Sequence, residues 1–270
     1  MTNSWNKRKP GLIKGLKALL HPFFRAYFRL EVIQKEELKA TPTLYVSNHN
    51  IGALIESHSI LFEVDSLFNQ SHIVFGFTHP SIFRVPLIKE YYEWVGAVPA
   101  TYEVAREVCA AGESVLIFPG GNKQALRSLA DYKKNSFRDS HGWAKIAKEN
   151  GVDVVPITFK GSHFVNPVFF QSQWLSKILV LPWILGLKWL SVSLGQILMC
   201  GLFIFLMTLL SLPWWAIVPL AIFVFSITPL TVIFPSKITM TFHSRLKTSQ
   251  MSQDELEDKV AEIMNQIYDS

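Results

Sequence analysis

His49 is the residue whose surroundings first suggest chemistry. It stands in Tyr45-Val46-Ser47-Asn48-His49-Asn50-Ile51-Gly52, where an apolar run stops at a polar turn, and carboxylates follow at Glu56, Glu63 and Asp65. A histidine held by a carboxylate is a competent general base, because the carboxylate fixes the tautomer and stabilises the imidazolium that forms. Seventy residues after His49 a second apolar run, Ser114 to Phe118, ends in Pro119-Gly120-Gly121. Bare backbone of that kind offers N–H groups to a developing oxyanion. A turn histidine also serves structure, so the chemistry rests on these two loop ends facing each other across one site. Other chemistries lack their residues. Gly161-Ser162-His163 has no nucleophile-elbow flanks. Phosphate-loop and dinucleotide fingerprints are absent. His72 and His79 have no partners at metal-ligand spacing, so neither a metal nor a bound cofactor is expected.

The elements that must hold these loops follow from the hydrophobic pattern. Leu30 to Ile33 and Thr43 to Ser47 read as strands, and Ala53 to Phe68 as a helix. Ile73 to Phe77 is β-prone, Pro80 to Trp94 helical, and Glu103 to Ala111 a helix capped by Thr101. Leu126 to Arg138 reads as basic and irregular. Gly142 to Glu149 is helical and Val154 to Phe159 a strand. Strands alternating with helices predict an α/β fold with a mixed sheet covered by helices on both faces. A strand ending in a functional turn belongs at the carboxyl edge of such a sheet.

Composition adds a membrane element. The chain of 270 residues is 49% hydrophobic and 17% charged, yet Trp189 to Ser236 holds no Asp, Glu, Lys or Arg. Trp189 to Leu212 is long enough to cross a hydrocarbon core, and Pro213-Trp214-Trp215 turns into a second apolar stretch through Phe234. Pro219 and Pro229 leave a shallower, re-entrant hairpin open. Lys188 and Lys237 flank the pair, which predicts both ends on the cytoplasmic side. Gly11 to Leu30 reads as a basic amphipathic helix, kinked at Pro22, suited to a membrane interface or to packing on the domain. Lys237 to His243 alternates as a strand rejoining the sheet, and a Ser252/Glu255 capping box opens a terminal helix. The expected organisation is an interfacial segment over 1–40, a core over 41–175, a hairpin over 176–236 and a returning strand and helix over 237–270. The net charge of +5 and the two cysteines, Cys109 and Cys200, suit an anionic membrane face and a reducing compartment. The basic residues form no nucleic-acid module.

Four blocks in order give the chain a resemblance to the lysophospholipid and glycerolipid acyltransferase superfamily. They are Val46-Ser47-Asn48-His49; Phe83-Arg84-Val85-Pro86 with Gly96-Ala97-Val98-Pro99-Ala100-Thr101; Val115 to Gly121; and Val154-Val155-Pro156-Ile157. The resemblance covers roughly residues 40 to 165 and is nearest the diacylglycerol acyltransferase-like branch. The superfamily's usual aspartate, five positions after the histidine, is Leu54 here, and Glu56 takes its place as the acid. Thr101 stands where phosphate-acceptor members carry an arginine, which implies an acceptor without a terminal phosphate. Gln124 replaces the branch's glutamate. The resemblance implies acyl transfer from acyl-CoA or acyl-carrier protein to a lipid hydroxyl, with His49 as base oriented by Glu56. Asn48, Pro119, Gly120, Gly121 and Gln124 would then line the substrate site. Lys123, Arg127, Lys133, Lys134 and Arg138 would meet the donor's phosphates. The altered acid position and Gln124 leave open a non-catalytic relative that binds lipid or acyl-CoA.

Overall fold

The computed structural model describes residues 5–84, 86–134, 140–184, 186, 188–227 and 234–268. Arg138 and Val85 therefore lie outside the described residues. The elements run α1 (Pro10–Tyr27), β1 (Glu31–Gln34), β2 (Thr43–Ser47), α2 (Ala53–Phe68), β3 (Val74–Thr78), α3 (Ile88–Val95), β4 (Ala97–Pro99), α4 (Tyr102–Ala110) and β5 (Ser114–Ile117). They continue with α5 (Gly121–Ala125), α6 (Gly142–Asn150), β6 (Asp153–Lys160), β7 (Val168–Ser172), α7 (Gln173–Ile178), α8 (Leu181–Ile184), β8 (Leu190–Ser193), α9 (Leu194–Leu209), α10 (Trp214–Ile227), β9 (Thr239–Phe242) and α11 (Gln253–Gln266).

Seven strands form one mixed sheet in the order β1-β9-β6-β2-β5-β3-β4. β4, β3, β5, β2 and β6 are mutually parallel, while β9 returns antiparallel to β6 and carries β1 beside it. Central β2 is buried at every residue, as a parallel strand covered on both faces must be. Its alternation divides the core. Tyr45 faces a cluster with Ile13 and Phe24 of α1 and Ile60 and Phe62 of α2. Leu44 and Val46 face a second cluster with Val108 of α4, Trp143 and Ala147 of α6, and Val260 and Met264 of α11.

The helix ends follow their residues. Thr101 accepts from the Val104 amide to cap α4, and Ser252 with Glu255 forms the reciprocal capping box on α11. α1 runs through Pro22 and, with Arg8 just ahead of it, docks on α2: Arg8 and Lys17 pair with Asp65 at 3.2 and 3.0 Å, Arg25 pairs with Glu63 at 3.0 Å, and His21 hydrogen-bonds Glu63 at 2.8 Å. Glu63 and Asp65 are thereby committed away from His49.

The apolar region departs from the expected span. Leu190–Ser193 is not helical but pairs with β7 in a separate two-stranded ribbon. What remains is a 16-residue α9 and a 14-residue α10. At about 1.5 Å per residue these are roughly 24 and 21 Å long, short of a ~30 Å hydrocarbon core. Among the described residues no helix is long and apolar enough to cross a membrane. The ribbon claims the residues that a span would have needed. Its short strands and α7 and α8 carry no strong periodic signal in the sequence.

Gly161 ends β6 at φ +92°, and a side-chain carbon there would overlap the Lys237 carbonyl oxygen. Gly112 has a similar φ of +85° but open space around it. Gly161→Ala should therefore cost more than about 2 kcal/mol, the sum of left-handed strain and a clash with rigid backbone, whereas Gly112→Ala should cost only about 1–2 kcal/mol of backbone strain. Thermal unfolding of the two variants side by side checks the contrast.

Candidate functional site

The site assembles because three neighbouring strands end together. β5, β2 and β6 are adjacent and parallel, so Phe118, His49 and Ser162 all follow strand ends on one edge of the sheet. Asn48 fixes that edge. Its side-chain amide donates to the Phe159 carbonyl oxygen at 2.9 Å and its side-chain oxygen accepts from the Phe159 amide at 2.7 Å. It acts as one more rung between β2 and β6. Asn48 is 1% exposed, and both polar atoms of its side chain are used in holding the loop.

His49 and Glu56 meet as the spacing predicts, across the turn into α2. The imidazole Nδ1 lies 3.2 Å from Glu56 Oε2. The phenyl ring of Phe118 lies against the imidazole, centroids 4.6 Å apart, which brings the Pro119-Gly120-Gly121 loop to the histidine. The Glu56 side chain is fully buried while that of His49 keeps 18% exposure. One partner is thus sealed and the other can reach a substrate.

A sealed carboxylate needs donors, and Glu56 has four. Besides His49, the Asn50 backbone amide donates to Oε2 at 3.1 Å, the Asn50 side-chain amide to Oε1 at 2.8 Å, and the Ser162 hydroxyl to Oε1 at 2.6 Å. The first turn of α2 adds its dipole. Gly52 suits the helix start, because a Cβ there would stand a tight 3.1 Å from the Ser162 carbonyl oxygen. Ser162, excluded as a nucleophile on its flanks, is a support for the acid. Asn50 and Ser162 were not selected from the sequence. Asn50's position beside the histidine and the Gly before Ser162 were the only signals available.

Arg127 lies inside this network, not on a phosphate-binding surface. It is 3% exposed. Nη1 donates to the carbonyl oxygens of His49 and Gln124, both at 2.7 Å, and Nη2 to Asn50 Oδ1 at 2.6 Å and to the Tyr268 hydroxyl at 2.9 Å. Nε donates to the Tyr132 carbonyl oxygen at 3.1 Å. All five guanidinium N–H groups are spent, so a donor phosphate could be met only by breaking one of them. Burial lowers the Arg127 pKa from its ordinary value, opposed by its attraction to Tyr268 and Glu56.

The remaining expected residues divide by exposure. Pro119 is buried, and Gln124 is 3% exposed. The glycine pair does not form an open loop but starts the short α5, with Gly120 at φ +83° and Gly121 at φ +49°. The Gly121 amide donates weakly, at 3.3 Å, to the Phe118 carbonyl oxygen. Lys123 is exposed, its ammonium 6.0 Å from the Trp189 ring. Lys134 pairs with Asp131 at 2.7 Å. Among the described residues no His, Cys, Asp and Glu group could hold a metal ion.

Two predictions follow from this geometry. Asn50→Ala removes a donor from Glu56 and strands an Arg127 N–H, and should cost about 2–4 kcal/mol in denaturant unfolding. The second concerns pH. Burial, with the nearby Arg127 charge, pushes the His163 imidazole down to about 3, and burial with Lys35 pushes His243 down to about 4. Unfolding restores ordinary imidazoles near 6.5, so below that pH the unfolded chain binds more protons. Stability is full above about pH 6.5 and falls as pH drops toward 4. His163→Gln should flatten that slope of melting temperature against pH.

The family model described as Diacylglycerol acyltransferase matches residues 6–216. Human Diacylglycerol O-acyltransferase 2 is 24% identical over 162 residues, which cover 56% of this chain and 42% of that protein. Human Diacylglycerol O-acyltransferase 2-like protein 6 is 24% identical over 65% of this chain and 56% of its own length. The chloroplastic 1-acyl-sn-glycerol-3-phosphate acyltransferase of Arabidopsis thaliana is 27% identical over 55% of this chain and 39% of its own. The matches thus span about half the length of these curated relatives or less. No solved structure matches the chain significantly. The family model takes in most of the chain, from before α1 to the start of α10, and includes His49, Glu56 and the Pro119-Gly120-Gly121 turn: the chain belongs to the diacylglycerol acyltransferase family.

Proposed function

We propose that the protein is a membrane-associated O-acyltransferase that moves a fatty acyl group from acyl-CoA or acyl-carrier protein to the hydroxyl of a glycerolipid or lysophospholipid. The observation that carries the reading is the pair of a sealed Glu56 and a partly exposed His49, 3.2 Å apart, beside the glycine turn. Glu56 holds Nδ1 and leaves Nε2 to take the proton from the acceptor hydroxyl. The acceptor oxygen then attacks the thioester carbonyl carbon. The tetrahedral oxyanion is stabilised by backbone N–H groups at Gly120 and Gly121, where the long bond to Phe118 is the one exchanged. Collapse of the intermediate expels the thiolate, which recovers the proton from His49, leaving an ester and a free thiol.

Thr101 favours an acceptor without a terminal phosphate. Its hydroxyl is committed to capping α4, and no cation stands in its place. Lys123 and Lys133, both exposed, are the remaining described candidates for the donor's phosphates. Lipid substrates reside in bilayers, and the apolar hairpin of α9 and α10 suits them. Exposed Trp214 and Trp215 sit at its turn. Helices of this length enter one leaflet and return, which keeps both hairpin ends, and the site, on the cytoplasmic side.

The test is transfer from labelled palmitoyl-CoA by lipid-reconstituted protein to lysophospholipids, mono- and diacylglycerol and long-chain alcohols. Product should form on a phosphate-free hydroxyl and fall by about 10³-fold or more in His49→Ala. Product restricted to glycerol phosphate or lysophosphatidate would overturn the inference from Thr101. Binding of acyl-CoA without any product would favour the non-catalytic relative, for which Gln124 in place of a glutamate is the specific sign.

A further inference from the structure

Arg127 has one hydrogen bond that comes from far along the chain. The Tyr268 hydroxyl, at the end of the C-terminal helix, accepts from Nη2 across 141 positions. The Tyr268 ring packs edge-on to Tyr132, centroids 5.9 Å apart, and the Tyr132 carbonyl oxygen takes the Nε bond. The residue just beyond α11 thus supplies one of the acceptors that hold the guanidinium in place.

On the acid–base reading of His49 above, we infer that Tyr268 is a positioning residue for the His49–Glu56 pair, acting through Arg127. The chain of contacts has no slack. Arg127 holds the His49 carbonyl and the Asn50 side-chain oxygen, and Asn50 gives two of the four hydrogen bonds that orient Glu56. A guanidinium is a rigid planar fork, so one N–H cannot seek a new acceptor without moving the others. Without the hydroxyl, the Nη2 proton is left unpaired in a site 3% exposed. The fork then shifts as a unit, and its bonds to the His49 carbonyl and the Asn50 side-chain oxygen carry that shift to Asn50 and so to two of the hydrogen bonds that hold Glu56 against the imidazole. The charged and titratable groups around the pair are Arg127, Tyr268 and Tyr132, with His163 kept neutral by burial. Among the described residues Glu56 is the carboxylate in contact with His49, so loosening that contact makes His49 a weaker base.

Tyr268→Phe removes the hydroxyl and keeps the ring, and Met264→Ala serves as control because it loosens α11 in the core and leaves the Tyr268 hydroxyl in the chain. The expected result for Tyr268→Phe is a kcat lower by about tenfold, a KM within about twofold, and an acid limb of kcat/KM moved to lower pH. NMR titration of labelled His49 in the reconstituted protein should move the same way, and Met264→Ala should lower the melting temperature without moving it. An unchanged His49 titration in Tyr268→Phe, with only a lower melting temperature, would overturn the inference. If the unmodified protein transfers no acyl group, the catalytic reading falls, and the His49 titration alone still decides whether Tyr268 acts on the pair.

Discussion

The carboxylate of Glu56 is the constraint on which the site depends. An ionised carboxylate removed from water is tolerated only when its lone pairs are filled, since the lost hydration is worth several kcal/mol even after relaxation. Here the four donors come from two pieces of chain, the His49 and Asn50 turn and the residue after Gly161, converging on a carboxylate carried by the start of α2. The Ser162 bond, across 106 positions, forms only when β2 and β6 are paired. The placement of His49 and the packing of the loops are thus one requirement. Loss of any donor leaves one of the buried lone pairs unfilled, and the fold registers that loss directly.

Strand order explains why those pieces meet. Parallel strands connected by crossovers deliver their carboxyl ends to one edge. β5, β2 and β6 are neighbours there although paired residues of β2 and β6, such as Thr43 and Asp153, are more than a hundred positions apart in sequence. The return of β9 antiparallel to β6 does more than extend the sheet. It places the Lys237 carbonyl against Gly161, so the segment after the hairpin fixes the turn that presents Ser162 to Glu56. The residues before and after the apolar insertion are tied to the same few ångströms of structure.

The parts legible in the sequence were those with a local cause. β2 and α2 were readable to the residue because β-prone Thr43 to Ser47 and the helix from Ala53 are punctuated by turn formers. Thr101 and the Ser252/Glu255 box were readable because caps are made within four residues. The pairing of His49 with Glu56 was readable because a strand, a turn and one helical turn bring them round. Arg127 was not. Its type and its basic neighbours suggest a phosphate surface, and only the tertiary fold turns it inward. Tyr268 was beyond reach for the same reason, since its partner lies 141 residues away. Leu190–Ser193 misled in the opposite direction. Its residues are apolar enough for a span, and the ribbon with β7 is decided by a partner strand that the local pattern does not reveal.

The short hairpin is consistent with where the site lies. Asn166, four residues beyond Ser162, accepts from the Gly195 amide at 2.9 Å and donates to the Ser193 hydroxyl at 3.1 Å. Asn122 of α5 donates to the Trp189 carbonyl oxygen at 3.2 Å. The root of the hairpin is therefore bonded both to the segment that carries Ser162 and to the helix that follows the glycine turn. A helix that crossed the whole bilayer would gain depth, but it would need the residues that now form this root. On the proposed reading, a hairpin confined to one leaflet keeps the glycine turn and His49 at the level of the lipid headgroups. That is where an acceptor hydroxyl and an acyl thioester can both arrive without either leaving its own phase.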